Sequence, residues 1–503
     1  MNNNRKVSNS VKNNLILVVL AFLFLLVFSN GTSPLSKYYG SDSAFFMFVG
    51  KAMNHGLKPY IDLFDHKGPY LFWIQQLGQL ICENRYGAFI MQVINLSICM
   101  YIIDRVIILA NNELPFDKRL LCQIPLAIVF AISFRDGNMC EEYSLSFLFI
   151  SLYMLIKYFI QYENGDYKHN LIYAFIYGLF FGILVFIRIT NSAFLCSCVL
   201  ATTILLIYKK EYKNLLLNIL VFLLGTLIAF LPIYLYYSSI GGLETMLYSV
   251  FVYAVKYVGE LSFIYRLKLY VNLENILLLI SAFYPVIYLF LIKENNTKYF
   301  IFACISFVAT FAATFIGQAY THYFVLVLPN VLYAIFLFLH FNVQKSFKSK
   351  KKTFVILTTV IMVGLSVYMF LNLGKNILQI VDYSMSENKH NYYLDLSEID
   401  KEIGECIPDE EKTSVWGYGT KARFYIQSNT YPCIRYFDYL DQRLAYSDIS
   451  KEIETLLKKN KPKWLVVSKE REEIPKFISE EINAKYSLYT ENEGYYLYNR
   501  IYE

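Results

Sequence analysis

Long apolar runs alternate with short polar connections along most of this chain. A run of roughly 18 or more apolar residues with few charges can cross the hydrocarbon core of a bilayer as a helix. Such runs are read at Leu15–Phe28 and at about 87–110, 119–134, 143–160, 171–188, 190–208, 214–238, 274–292, 299–316, 323–341 and 353–373, which makes about eleven spans. The first follows Arg5, Lys6 and Lys12 and runs on into Ser29-Asn30-Gly31-Thr32-Ser33-Pro34 with no small-residue cleavage site, so a retained anchor helix is expected. Tyr70–Ile81 is apolar but short and reads as an interfacial or re-entrant helix.

The connections set the orientation. Asn111–Lys118, Gln161–Asn170, Lys209–Lys213, Lys293–Lys298 and Gln344–Lys352 carry the Lys and Arg and fall on one side, the expected cytoplasmic side. The N-terminus then lies in the cytoplasm, and the last segment lies outside the plasma membrane. That segment, 376–503, changes character: Tyr393–Ile403 and Ile449–Leu457 read as helices, and Ser414–Trp416, Trp464–Val467 and Tyr495–Tyr498 as strands. The expectation is an all-α polytopic membrane part (1–375) with a small extracytoplasmic α/β domain (376–503). Within the latter, Cys406 and Cys433 are candidates for a disulfide.

Composition supports this class. Hydrophobic residues make up 56% of the 503 residues and charged residues 17%, against about 25% charged in soluble domains. That hydrophobicity excludes a disordered chain. The nine cysteines are too sparse for a disulfide scaffold, and no basic face stands apart from the membrane pattern, so nucleic acid is not expected as a partner. Membrane lipid is.

Candidate chemistry gathers in the loop at about 30–86, which is long, and long ordered loops tend to be functional. Asp42 precedes the amphipathic stretch Ser43–Met53 and reads either as a helix N-cap or as a base able to take a proton from a hydroxyl within reach. Asp65-His66-Lys67-Gly68-Pro69 reads either as a polar turn with Lys67 snorkelling to headgroups, or as a phosphate site in which Lys67 supplies the cation and Asp65 and His66 support it. Arg135–Glu142 contains Asp136, Glu141 and Glu142: a solvated cap, or carboxylates that orient an acceptor or hold a divalent cation such as magnesium or manganese. Arg188 closes the fifth span and is an interfacial anchor or a bidentate phosphate ligand. His322 opens the tenth span.

Taken together and in order, these residues resemble the membrane-embedded GT-C glycosyltransferases, in particular bacterial relatives of protein O-mannosyltransferases and of the aminoarabinose transferase that modifies lipid A. The resemblance rests on Asp42 early in the first long loop; on Tyr60-Ile61-Asp62-Leu63-Phe64-Asp65-His66-Lys67-Gly68-Pro69, where the family reads Lys-Pro-Pro at its end; on Glu141-Glu142-Tyr143; and on Arg188–Asn191 with His322, Tyr323 and Pro329. It covers about 15–373. Two positions depart: Gly68 replaces the first proline, which is expected to loosen the turn, and Asp42 is followed by Ser43 rather than a second acid. The resemblance implies transfer of a monosaccharide from a polyprenyl-phosphate donor to an extracytoplasmic acceptor, with inversion. It makes Asp42 the base, Lys67, His66, Arg188 and His322 the donor-phosphate residues, and Asp65, Asp136, Glu141 and Glu142 the acceptor or metal residues; metal dependence is left open. A lipid-linked sugar transporter or flippase, a glycan polymerase or ligase, and a non-catalytic scaffold are the competing readings.

Overall fold

The computed structural model describes residues 2–259, 262–292, 297–317, 320–344, 363–378, 392–438, 440–460, 462–471 and 473–501. The chain opens with α1 (Asn2–Phe28), α2 (Ser41–Asn54), α3 (Pro69–Ile81), α4 (Arg85–Ala110), α5 (Phe116–Ser133), α6 (Cys140–Glu163) and α7 (Leu171–Val185). A 3₁₀ turn, Ile189–Ser192, leads into α8 (Ala193–Tyr208), followed by α9 (Tyr212–Ser239). Short helices α10 (Leu243–Leu247) and α11 (Ala254–Gly259) flank a π turn at Tyr248–Tyr253; then come α12 (Phe263–Tyr270), α13 (Leu273–Ile292) and α14 (Thr297–Phe315). A second 3₁₀ turn, Thr321–Val327, opens α15 (Leu328–Gln344), and residues 363–378 form α16.

Among the described residues, eight helical segments have the length and hydropathy to cross a membrane, or nine if the pair Leu243–Val258 and Phe263–Tyr270, bent by 88°, counts as one. The count differs from about eleven for physical reasons. The helix at 116–133 carries Asp117, Lys118 and Arg119 in its first turn, α7 is only 15 residues long, and the eleventh run is described only from residue 363. The bent pair was not anticipated from the sequence. The basic run after Gln344 and most of Lys293–Lys298 lie outside the described residues.

Glycines set one packing distance that matters for the site. A Cβ on Gly178 of α7 would lie 1.9 Å from the Phe222 carbonyl oxygen of α9, and one on Gly225 of α9 would lie 2.3 Å from that of Phe175. Backbones approach this closely only across small residues. The α7–α9 pair is thereby locked, and with it the position of Phe186–Arg188 beyond α7.

The C-terminal segment holds α17 (Tyr392–Glu405), β1 (Val415–Tyr418), α18 (Ala422–Gln427), α19 (Leu440–Leu444), α20 (Ser447–Asn460), β2 (Trp464–Ser468), α21 (Lys476–Lys485), β3 (Tyr486–Glu491) and β4 (Tyr495–Arg500). The sheet order is β1-β2-β4-β3, with β1 parallel to β2 and the other pairs antiparallel. Both β1 and β2 are buried throughout, which is why they read as continuous apolar runs. Strand β3, exposed along most of its length, gave no such signal. Cys406 and Cys433 are not joined in a disulfide.

This segment shares a core with the first loop. Phe45 of α2 stacks on Phe437 with centroids 5.5 Å apart, Phe48 packs 5.4 Å from Tyr425, and the Phe64 amide donates to the Arg435 carbonyl at 2.9 Å.

Candidate functional site

Helix α2 begins two residues earlier than the sequence suggests. Gly40 is its N-cap and makes no side-chain capping bond, so Asp42 is not the cap. It sits in the first turn, partly exposed, where the helix dipole favours a carboxylate. Ser43–Met53 after it are all buried and fix the helix.

The strap from Tyr60 to Pro69 carries the next charges. Tyr60 adopts φ 70° and its hydroxyl donates to the Lys67 carbonyl at 2.6 Å; the Lys67 amide donates to Asp65 Oδ1 at 2.6 Å. These bonds present the Lys67 ammonium, which donates to His66 Nε2 at 2.8 Å. Burial opposes the lysine's charge, but the Asp65 and Asp42 carboxylates outweigh it and hold its pKa above the ordinary value. His66 goes the other way: burial, then the charges of Lys67, Arg188 and Arg443, push its pKa well below the usual histidine range. It is therefore neutral near pH 7 and accepts from Lys67 rather than adding a cation.

Gly68 does not loosen this turn. Its amide donates to the Ile187 carbonyl at 2.9 Å, and a Cβ there would lie 2.0 Å from the Phe186 carbonyl oxygen. Proline has neither the N–H nor the room. Glycine pins Lys67 to the backbone that carries Arg188.

Arg188 pairs with Glu141 at the start of α6, and its guanidinium lies 3.9 Å from the Tyr323 ring centroid. Burial opposes the charge, yet Tyr323 and Glu141 raise its pKa further, so it stays cationic. Asn191 donates to the Cys140 carbonyl at 3.1 Å and to Ser144 at 2.8 Å, tying the 3₁₀ turn to α6. Glu141 Oε2 and His322 Nδ1 are buried without a hydrogen-bond partner. His322 stacks on Tyr320 at 5.4 Å.

Asp42, Asp65, His66, Lys67, Glu141, Arg188 and His322 line one cleft. Asp136 and Glu142 are not among its lining residues. Asp136 accepts from the Tyr38 hydroxyl at 3.3 Å beside Gly40, and burial raises its pKa. Glu142 follows Glu141 by one residue and is therefore rotated about 100° around the helix. It turns into a buried amide network, accepting from Gln92 at 2.9 Å and from the Asn138 amide at 3.0 Å. Among the described residues no three His, Cys, Asp or Glu side chains are placed to hold a metal. Asp65 is engaged by the Lys67 amide and Glu141 by Arg188.

Three cleft residues were not found from sequence. Tyr253 and Tyr257, whose rings lie 6.1 and 4.9 Å from His66, come from the bent segment after α9; a tyrosine repeat at 248, 253 and 257 was the available signal. Arg443 comes from α19, and nothing local distinguishes it from a surface arginine.

No family model matches the chain, and no curated protein sequence matches it. Solved structures do. ArnT from Cupriavidus metallidurans bound to undecaprenyl phosphate aligns with a TM-score of 0.62 and 11% identity over 98% of each chain. The same protein in the apo state aligns at 0.58 and 10% over 99% of this chain and 98% of that one. The archaeal oligosaccharyltransferase AglB from Archaeoglobus fulgidus, in complex with an inhibitory peptide and a dolichol-phosphate, gives 0.45 and 13% over 90% and 69%. The likeness to ArnT is one of fold: a multi-helix membrane chain, with eight described helices long and apolar enough to cross a bilayer.

Proposed function

We propose that the protein is a membrane glycosyltransferase that moves a monosaccharide from a polyprenyl-phosphate donor to an acceptor hydroxyl outside the cell, with inversion. The observation that carries this reading is one cleft joining the Asp42 carboxylate to the Lys67 and Arg188 cations at one end of a membrane bundle. Asp42 takes the proton as the acceptor oxygen attacks the anomeric carbon. The bond from that carbon to the phosphate oxygen breaks, and the electron pair leaves with the lipid phosphate. Lys67 and Arg188 are placed to stabilise the negative charge that develops there. Neutral His66 holds the Lys67 ammonium, and Glu141 holds Arg188.

Two further features support a lipid-borne donor. An apolar cavity between α1, α4, α5 and α6, lined by Leu96, Cys99, Leu145 and Phe149 among others, offers room for part of a polyprenyl tail. The fold neighbour ArnT has been solved with undecaprenyl phosphate. The basic Lys209–Lys213 connection follows α8, at the end away from the cleft, consistent with an outer-face site. Membrane part and C-terminal segment act as one unit in this reading.

The test is transfer from a panel of radiolabelled polyprenyl-phosphate sugars by purified protein, with membrane extract as acceptor. Wild type transfers a sugar and Asp42→Asn does not. Folded wild type that transfers from no donor would favour lipid-linked sugar transport instead.

A further inference from the structure

The three basic side chains of the cleft differ in how their charge is met. Lys67 lies in the field of Asp65 and Asp42. Arg188 is paired with Glu141 and capped by Tyr323. Arg443 is only 4% exposed, donates through Nη1 to the Phe64 carbonyl at 2.8 Å, and lies 4.9 Å from the Phe64 ring centroid. Among the described residues it forms no ion pair. A guanidinium carries five N–H donors, and one carbonyl does not neutralise it. A buried cation without a counter-ion is costly, and no described carboxylate forms an ion pair with this one. Elsewhere, half-buried Arg423 of α18 is met by Asp400 at 2.8 Å, whereas buried Arg85 of α4 is met by the Ser33 and Ser36 carbonyls and does not line the cleft of acids and histidines.

The location is specific. Arg443 sits on α19, and that helix reaches the cleft because the C-terminal segment is held to the first loop by the Phe64–Arg435 backbone bond and the Phe45–Phe437 stack. Its hydrogen bond to Phe64 stands next to Asp65-His66-Lys67, so the guanidinium enters the cleft beside the Lys67 side.

We infer that Arg443 is a substrate-binding residue, delivered to the cleft by the C-terminal segment, whose counter-ion is the phosphate oxyanion of the lipid donor. The inference rests on the proposed lipid-phosphate reading and adds to it a third phosphate ligand from outside the membrane helices. It also makes the C-terminal segment part of the substrate site rather than an appendage.

The experiment measures binding of undecaprenyl phosphate to the purified full chain in detergent, with undecaprenol as the phosphate-free control. Arg443→Ala and Arg443→Gln are compared with wild type; the glutamine can still donate to the Phe64 carbonyl, so it separates charge from local anchoring if the alanine variant fails to fold. The expected result is a loss of undecaprenyl-phosphate affinity of about tenfold or more, the scale of a charge-assisted hydrogen bond. Undecaprenol binding should stay unchanged. Undecaprenyl-phosphate affinity that is equal in wild type and folded Arg443→Gln overturns the inference. So does a loss confined to the KM for the acceptor, which would assign the anion to the acceptor. Wild type that binds undecaprenyl phosphate no better than undecaprenol fails the underlying reading instead, a result distinct from either.

Discussion

Two buried charge clusters sit at opposite ends of α4. Near its C-terminal end Asp104, 1% exposed, accepts from Arg119 Nε at 2.6 Å and from Arg105 Nη2 at 3.0 Å, while Arg119 Nη1 satisfies the Leu114 carbonyl at 2.9 Å. The carboxylate is saturated, and only Arg105 Nε lacks a partner. About 18 Å up the helix, Gln92 holds Glu142, the α6 neighbour of the cleft residue Glu141; in that cleft Glu141 Oε2 and His322 Nδ1 lack partners, and Arg443 is paired with no described carboxylate. Both clusters bury charge; only one leaves it unmatched. A saturated cluster holds helices together, whereas an unsaturated one beside a cleft is arranged around a ligand. The difference separates structural from functional charge where burial alone does not.

The comparison breaks if substitutions in the two clusters have the same consequence. Asp42→Asn should cost about 10²- to 10⁴-fold in transfer rate, the range of a lost general base, while the thermal unfolding midpoint in detergent stays at the wild-type value. Asp104→Asn should do the reverse. Removing one partner of a buried pair costs about 3–5 kcal/mol, so the midpoint drops sharply, and transfer per folded molecule is unchanged. Activity loss in a folded Asp104→Asn protein, or unfolding of Asp42→Asn, would collapse the distinction.

Much of this was legible in the sequence because hydrophobic periodicity and run length act locally. Every expected span that falls on described residues corresponds to helix, and the buried strands β1 and β2 announced themselves as apolar runs. The strap Asp65–Pro69 and Asp42 were singled out because charged, glycine- and proline-containing loops between apolar runs are conspicuous. What stayed hidden depends on distant packing. Glu141 and Glu142 are chemically identical neighbours, and only the rotation of α6 sends one to Arg188 and the other to Gln92. Asp136 looked like a cleft acid until its loop turned it toward Tyr38. Arg443 joins the cleft across 379 residues of chain through its bond to Phe64, and no local pattern encodes that.

Gly68 sharpens the comparison from the side of the backbone. Replacing it with alanine forces a methyl group against the Phe186 carbonyl, which stands 2.0 Å from the ideal Cβ position. Overpacking of this kind costs about 1–3 kcal/mol, and relief requires the strap to move away from Ile187. The midpoint should fall less than in Asp104→Asn, but undecaprenyl-phosphate affinity should fall too, because Lys67 and Arg188 lose their common anchor. Stability loss with full affinity would show that the two cations are positioned independently.

The smallest effects distinguish two histidines. Burial lowers the His169 pKa to about 4, and its Nδ1 meets Asn218 Oδ1 at 2.6 Å, far from the cleft. A histidine whose folded pKa lies below its unfolded value of about 6.5 stabilises the fold fully above that pH, and the contribution is lost as pH falls from 6.5 toward 4, at about 1.4 kcal/mol per unit. His169→Gln should therefore flatten the fall of the unfolding midpoint between pH 7 and pH 5 and leave ligand binding alone. His66 shares the sign but not the whole cause, since Lys67, Arg188 and Arg443 add to burial. A bound phosphate offsets those cations, raises the His66 pKa and couples binding to proton uptake. Affinity for undecaprenyl phosphate should thus gain more on acidification in wild type than in His66→Gln; the phosphate's own titration is common to both and cancels. His169→Gln should follow wild type. If His66→Gln follows it as well, the cleft cations do not act on the ligand through this field, and the two buried histidines are of one structural kind.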